Sequence, residues 1–256
     1  MRMDGPEQPR FLHSTAADGN RIQRFTLEGN PGALRLGAPE TILERLPSAS
    51  YHNGGRIAFG PDGMLYATVG DAGDRESAQD LDALSGKILR MTPTGGVPRN
   101  NPFPGSLVYS YGHRNPQGIA WAADGTMYAS EFGQNTWDEL NTIRPGANYG
   151  WPIVEGIAGR REYVDPLQQW SPADASPSGI AVHDDTIVIA NLRGQRLRVV
   201  PTDRPATSTE RFAGTYGRLR DVTNAPDGTL WILTNNTDGR GNPRPDDDHI
   251  FRTPLT

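Results

Sequence analysis

The sequence predicts an all-β chain organised as a β-propeller, and three observations carry that prediction. First, a hairpin signature recurs. Gly55–Ala72 reads GRIAFGPDGMLYATVGDA, Gln117–Gly133 reads QGIAWAADGTMYASEFG, and Arg220–Asn235 reads RDVTNAPDGTLWILTN. Each is a short alternating run, then Asp-Gly, then a second run with aromatic or β-branched residues. Asp-Gly suits a tight turn that needs positive φ. Second, the copies are spaced like blades. The turn glycines Gly63, Gly125 and Gly228 stand about 60 and about 100 residues apart. A worn copy, Ser178–Leu197 with Asp184-Asp185 at its turn, falls between the last two. Units of about four strands recurring roughly every 40 to 60 residues are the pattern of a propeller. Third, helical periodicity is nearly absent, which excludes parallel α/β folds.

In chain order, Phe11–Leu27 reads as half a further copy, with Asp18-Gly19-Asn20 at the turn. After the first clear hairpin, Ser77–Leu84 (SAQDLDAL) is the one helix candidate, and it spans about two turns. Gly86–Met91 and Leu107–Tyr111 are strand-like, and Leu197–Val200 continues the fourth unit outward. Arg204–Arg211 and Gly239–Asp248 are polar loops containing proline. No linker-like segment interrupts the hairpins, so residues 1–256 read as a single propeller domain.

Composition narrows the function. A net charge of −5 disfavours a nucleic-acid partner, which would select a basic face. Lys87 is the one lysine among 25 basic residues. With no cysteine, disulfides, thiolate metal sites and cysteine nucleophiles are excluded. No run of about 18 apolar residues could span a membrane, and Met1–Arg10 has no apolar core of a signal peptide.

Four constellations could carry chemistry. Tyr109–Gly118 (YSYGHRNPQG) is too polar for a core strand, and Gly112 and Pro116 turn the backbone there. Its Arg114 and Asn115 can hold anions and carbonyls, or can simply be solvated in a hairpin loop. His52 opens HNGGR just before the first clear hairpin. It is either a proton acceptor or a loop histidine bonded to backbone. Arg218 and Arg220, two apart on a strand, share a face. With Arg114 and Arg193 they are four arginines at blade edges that could converge on an anionic ligand, a polycarboxylate or a phosphate. Glu131–Gln134 with Asp138 and Glu139 offers the oxygen donors calcium uses, or a solvated acidic loop. Asp71, Asp80 and Asp82 read as turn and cap residues.

Taken together, these stretches resemble a known family. They include HNGGRIAFGPDG (His52–Gly63), TVGDAG (Thr68–Gly73), GKILR (Gly86–Arg90), NPFPGS (Asn101–Ser106) and YSYGHRNPQG (Tyr109–Gly118). DELN (Asp138–Asn141), NYGWP (Asn148–Pro152) and GRLRDV (Gly217–Val222) follow in order. The ordered set is similar to the soluble quinoprotein glucose/sorbosone dehydrogenases, which include aldose sugar dehydrogenases. The resemblance implies a six-bladed β-propeller, here incomplete at about four and a half to five blades. It starts near Phe11, so the family's first blade or so and its signal peptide have no counterpart.

The resemblance also implies a pyrroloquinoline quinone (PQQ) on the axis. Calcium would bind the quinone and polarise it as a Lewis acid. His52 would take the C1 hydroxyl proton of an aldose while hydride moves to the quinone. Arg114 and Asn115 would hold the cofactor, and Arg218 and Arg220 its carboxylates. Arg193 stands where relatives carry a lysine. Gly133 and Gln134 would offer backbone carbonyls to the catalytic calcium. Glu139 and the Tyr149 carbonyl would belong to a second, structural calcium. The partners implied are an aldose and an external electron acceptor, in a periplasmic or secreted setting. Two other readings remain: a non-catalytic or degenerate propeller that binds a ligand or protein, and a calcium-dependent propeller lactonase.

Overall fold

A computed structural model of the chain describes residues 9–255. The amino-terminal stretch read above for a leader lies almost wholly outside them. Five sheets follow one another around an axis as propeller blades. The first holds β1 (Arg10–Ala16), β2 (Gly19–Phe25) and β5 (Glu40–Leu46), with a small hairpin of β3 (Leu27–Glu28) and β4 (Arg35–Leu36) at its side. The second is β6 (Ile57–Phe59), β7 (Leu65–Val69), β8 (Lys87–Met91) and β9 (Val108–Tyr111). The third is β10 (Pro116–Trp121), β11 (Met127–Glu131), β12 (Asp138–Ile143) and β13 (Gln168–Trp170). The fourth is β14 (Pro177–His183), β15 (Thr186–Asn191), β16 (Arg196–Pro201) and β17 (Thr209–Arg211). The fifth is β18 (Leu219–Asn224), β19 (Leu230–Thr234) and β20 (Ile250–Thr253).

Each sequence copy is the inner hairpin of one blade. The turn glycines Gly63, Gly125 and Gly228 have φ of 73°, 87° and 80°, the left-handed conformation that Asp-Gly supplies. The half copy at Phe11–Leu27 is a complete hairpin, paired from Arg10↔Phe25 to Ala16↔Gly19. Two expectations need correction. Ser77–Leu84 is not a helix: only a 3₁₀ turn, Glu76–Ala78, forms. The aspartates of the stretch close turns instead, as where Asp80 accepts from the Asp82 amide. The polar loop at Arg204–Arg211 ends in β17, which pairs Leu197↔Arg211 on β16.

The core is a series of seams between blades. Leu65, Ala67, Val69 and Leu89 of the second blade pack against Ile22 and Leu46 of the first. Tyr66 and Ile88, on the opposite face of the same sheet, pack against Ile119, Met127 and Ala129 of the third. Tyr128 and Leu140 meet Ile180, Ile187 and Ile189. Val188 and Leu197 meet Leu219, Val222 and Ile232. Middle strands such as β7 and β8 are therefore buried at every position, although their side chains alternate between faces. In β19 the alternation is visible. Leu230 and Ile232 face the fourth blade, while Trp231 and Leu233 are 43% and 38% exposed. The inner strands β1, β6, β10, β14 and β18 are neighbours in that order. Across the axis, Arg56 Nη1 of the second blade meets Asp221 Oδ2 of the fifth at 2.7 Å. Among the described residues no helix is long and apolar enough to cross a membrane.

Candidate active site

One end of the propeller gathers the chemistry. There the loops entering the inner strands meet the loops leaving the second strands. His52 precedes β6, Asp71 follows β7, Arg114 and Asn115 precede β10, Phe132–Gln134 follow β11, and Arg220 lies on β18. A cavity of about 490 Å³ opens among them, lined in part by His52, Asn115, Gln117, Phe132, Arg220 and Asp238.

His52 is held from behind. Its Nδ1 lies 2.7 Å from Asp71 Oδ1. The same oxygen accepts the Gly73 amide at 2.9 Å, and Oδ2 accepts Trp151 Nε1 at 2.9 Å. Burial alone would raise the Asp71 pKa, but these donors outweigh it and hold the carboxyl below its usual range. A buried carboxylate opposite Nδ1 fixes a proton there and leaves Nε2 as the acceptor. Local backbone explains the placement. His52 itself has φ of 56°, and its carbonyl accepts the Ala72 amide at 3.1 Å. Gly54 lets the segment lie flat on β7, because a Cβ there would come 2.6 Å from the Thr68 carbonyl oxygen. Sequence reading assigned Asp71 to turn chemistry and missed this role. The available signal was a carboxylate two residues past the mostly apolar run LYATV, where a charge must find donors.

Glu131 staples the Arg114 loop. Its Oε1 accepts the amides of Arg114 and Asn115, the second at 3.0 Å, and its Oε2 meets His113 Nδ1 at 2.9 Å. His113 stacks on Tyr149 with centroids 4.6 Å apart. The Arg114 guanidinium donates from Nη1 to the carbonyls of Phe132 (3.2 Å) and Gly133. It lies over the Trp151 ring at 5.3 Å. Its Nε is buried with no partner among the described residues. Burial lowers the Arg114 pKa, against the pull of Asp71 and Glu131. Asn115 Oδ1 accepts from the Gly54 amide (3.1 Å) and Gln117 Nε2 (2.9 Å).

The other arginines part company. Arg220 Nη1 donates to Gln117 Oε1 (3.0 Å) and Ser178 Oγ on the cavity wall. Burial, then nearby Arg56, lowers its pKa, so an anion beside it would relieve both penalties. Arg218 does not line the cavity. It is buried and paired with Asp238 at 2.9 Å, and Asp238 is the wall residue. The shared face fails because the β18–β19 register slips between Leu219 and Asp221. Arg193 is exposed on the turn after β15, and its neighbour Leu192 lines the cavity instead.

The acidic loop splits the same way. Asp138 accepts the Gly133 amide (2.9 Å) and the Ser176 amide (2.7 Å), and burial pushes its pKa up to about 6. Glu155 Oε1 accepts the amides of Gln134 (2.6 Å), Thr136 and Trp137 (each 3.2 Å). Amides thus point to one side of the loop, and the Gly133 carbonyl points to the guanidinium of Arg114. A second, very small cavity of about 10 Å³ is lined by Glu131, Glu139, Tyr149 and Glu155 among others. Burial, then Glu131, pushes the Glu139 carboxyl up to about 8. A space of one atom beside crowded carboxylates suits a cation that neutralises them. Among the described residues no three His, Asp or Glu side chains form a metal cage alone, so carbonyls would have to complete it.

The chain is similar to several known proteins. A family model described as glucose/sorbosone dehydrogenase matches residues 11–242. The PQQ-bound aldose sugar dehydrogenase of Streptomyces coelicolor superposes with a TM-score of 0.91 at 50% identity, covering 96% of this chain and 75% of that one. Aldose sugar dehydrogenase YliI of Escherichia coli is 30% identical, over 78% of this chain and 62% of its own. Quinoprotein glucose dehydrogenase B of Acinetobacter calcoaceticus is 38% identical, over 62% of this chain and 37% of its own. The chain thus spans less than two thirds of both of these curated relatives.

Proposed function

Because the chain belongs to the glucose/sorbosone dehydrogenase family, we propose that it oxidises the C1 hydroxyl of aldose sugars with PQQ as cofactor and His52 as base. The observation that carries this reading is the cavity wall. A half-buried guanidinium, Arg220, whose pKa is lowered by desolvation, shares it with a histidine whose free nitrogen is set by a buried carboxylate. The residues fit a polycarboxylate quinone. Arg220 and Asn115 line the cavity, and the buried Nε atoms of Arg114 and Arg218 lack partners among the described residues.

When bound, PQQ supplies the two-electron acceptor that takes hydride from C1. The residues do the rest. His52 Nε2 accepts the C1 hydroxyl proton, so the sugar leaves as its lactone. Asp71 stabilises the imidazolium that results. Arg220 and Asn115, on the cavity wall, would position the cofactor, with Arg218 acting through Asp238, the wall residue it pairs with. Arg114 lines the adjoining cavity. The Gln134 carbonyl, and the Gly133 carbonyl if it gives up its bond to Arg114, would be the neutral donors to a catalytic calcium. Glu139, with the Tyr149 carbonyl, would hold a structural calcium at the small acidic cavity. An external acceptor carries electrons onward, in a periplasmic or secreted setting. A calcium-dependent lactonase would want acidic ligands on the axis, where this chain presents arginine.

Titrating the chain with PQQ and calcium, followed by quenching of intrinsic fluorescence, tests the reading. Micromolar or tighter binding is expected. Arg220→Ala is expected to weaken it about tenfold to hundredfold, from the ~1.5–3 kcal/mol of a hydrogen bond to a charged group. Absence of PQQ binding by the parent chain would overturn the proposal.

A further inference from the structure

A third cavity, of about 210 Å³, adjoins the larger one, since Tyr51 and His52 line both. Its other walls include Asp71, Arg75, Arg114 and Trp151. Resting on the aldose reading above, we propose that Arg75 is a specificity residue, and that this cavity takes a sugar with an anionic group remote from C1, such as a hexuronate.

Asp71 is the one carboxylate among the lining residues. His52, Gly73 and Trp151 already occupy its two oxygens. Arg114 is turned to the carbonyls of Phe132 and Gly133. Arg75 is exposed to solvent and stacks on Trp151, and no ion pair joins it to a carboxylate among the described residues, its neighbours Asp74 and Glu76 included. The cavity beside His52 therefore carries a solvated guanidinium without an anionic partner.

The Arg75 guanidinium carbon sits 4.6 Å from the centroid of the Trp151 ring, and Arg114 stands on the same indole at 5.3 Å. Trp151 is only 6% exposed and is pinned by its bond to Asp71. Stacking on a fixed ring holds Arg75 in place, so less side-chain entropy is lost when a ligand binds. Size agrees as well. About 210 Å³ is below the roughly 300 Å³ at which drug-sized ligand pockets begin, and suits one sugar ring. Tyr51, 55% exposed and edge-on to His52 at 4.7 Å, offers an apolar wall to the ring's C–H face. A neutral hexose leaves the guanidinium unanswered, whereas a carboxylate accepts its forked donors.

The test compares D-glucuronate with D-glucose in the PQQ- and calcium-loaded chain. The ratio of kcat/KM, glucuronate over glucose, is expected to be about ten or more, and to fall about tenfold in Arg75→Gln, the effect of one charged contact. A ratio of one or less in the parent, or an unchanged ratio in Arg75→Gln, overturns the proposal. A second measurement separates this failure from failure of the aldose reading. Methyl glucuronide, whose C1 hydroxyl is blocked, is titrated by calorimetry into the PQQ-free chain. Binding that Arg75→Gln weakens about tenfold supports the proposal even where no sugar is turned over. No binding, or binding indifferent to Arg75→Gln, overturns it.

Discussion

Asp71→Asn is the sharpest perturbation of the proposed base, His52. Three N–H donors converge on the Asp71 carboxylate: His52 Nδ1 at 2.7 Å and the Gly73 amide at 2.9 Å on Oδ1, and Trp151 Nε1 at 2.9 Å on Oδ2. Asparagine has one acceptor oxygen and one donor NH₂. Either orientation sets donor against donor. If the oxygen stays with Trp151, the NH₂ faces His52 and moves its proton to Nε2, so the base points a hydrogen at the sugar. If the oxygen stays with His52, the indole loses its partner. The Asp71 side chain is 1% exposed, so water cannot repair either mismatch. An unsatisfied buried donor costs ~1–3 kcal/mol. That lowers the thermal midpoint by about 2–4 °C per kcal/mol in a chain near this size. Turnover should fall about a hundredfold, or roughly 2.7 kcal/mol in the barrier, while PQQ affinity stays near the parent's. Calorimetric melting and dye-reduction kinetics read both effects. A turnover within about threefold of the parent, less than ~0.7 kcal/mol, would refute the positioning argument.

Two other substitutions test different parts of the chain. Calcium should raise the melting temperature of the parent more than that of Glu139→Gln, because the variant lacks the buried carboxylate the cation would neutralise; an equal rise in both removes Glu139 as a ligand. Lys87 donates from Nζ to the carbonyls of Ser77 (2.8 Å), Ala78 (3.1 Å) and Ser85 (2.7 Å), and burial lowers its pKa to about 8. Between about pH 8 and 10 the unfolded chain then holds the extra proton, so this group makes stability rise with pH. Lys87→Met should lose that rise and, with three carbonyls orphaned, be ~1–3 kcal/mol less stable at pH 7; denaturant melts at pH 7, 8 and 9 that keep the parent's slope would contradict it.

The blades were legible because Asp-Gly hairpins are local. Each copy lies within about 20 residues, and in the three Asp-Gly copies the turn glycine takes the positive φ that the dipeptide implies. Depth in the sheet was not legible. Strands buried on both faces lose the polar alternation that marks a half-buried strand, as β7 and β8 do. Site residues divided along the same line. His52 and Asn115 sit on turns that glycine and proline announce, and both reach the main cavity. Arg218 and Arg220 depended on register, and a bulge between Leu219 and Asp221 separated them. Asp71 depended on partners 19 and 80 residues away, His52 and Trp151, which no local pattern encodes.

His52→Ala, in the chain loaded with PQQ and calcium, reads the proposed base itself when dye reduction by glucose and other aldoses is followed beside a PQQ titration. PQQ binding close to the parent's is expected, with turnover lost by about two orders of magnitude or more. Turnover retained in His52→Ala would remove His52 as the base.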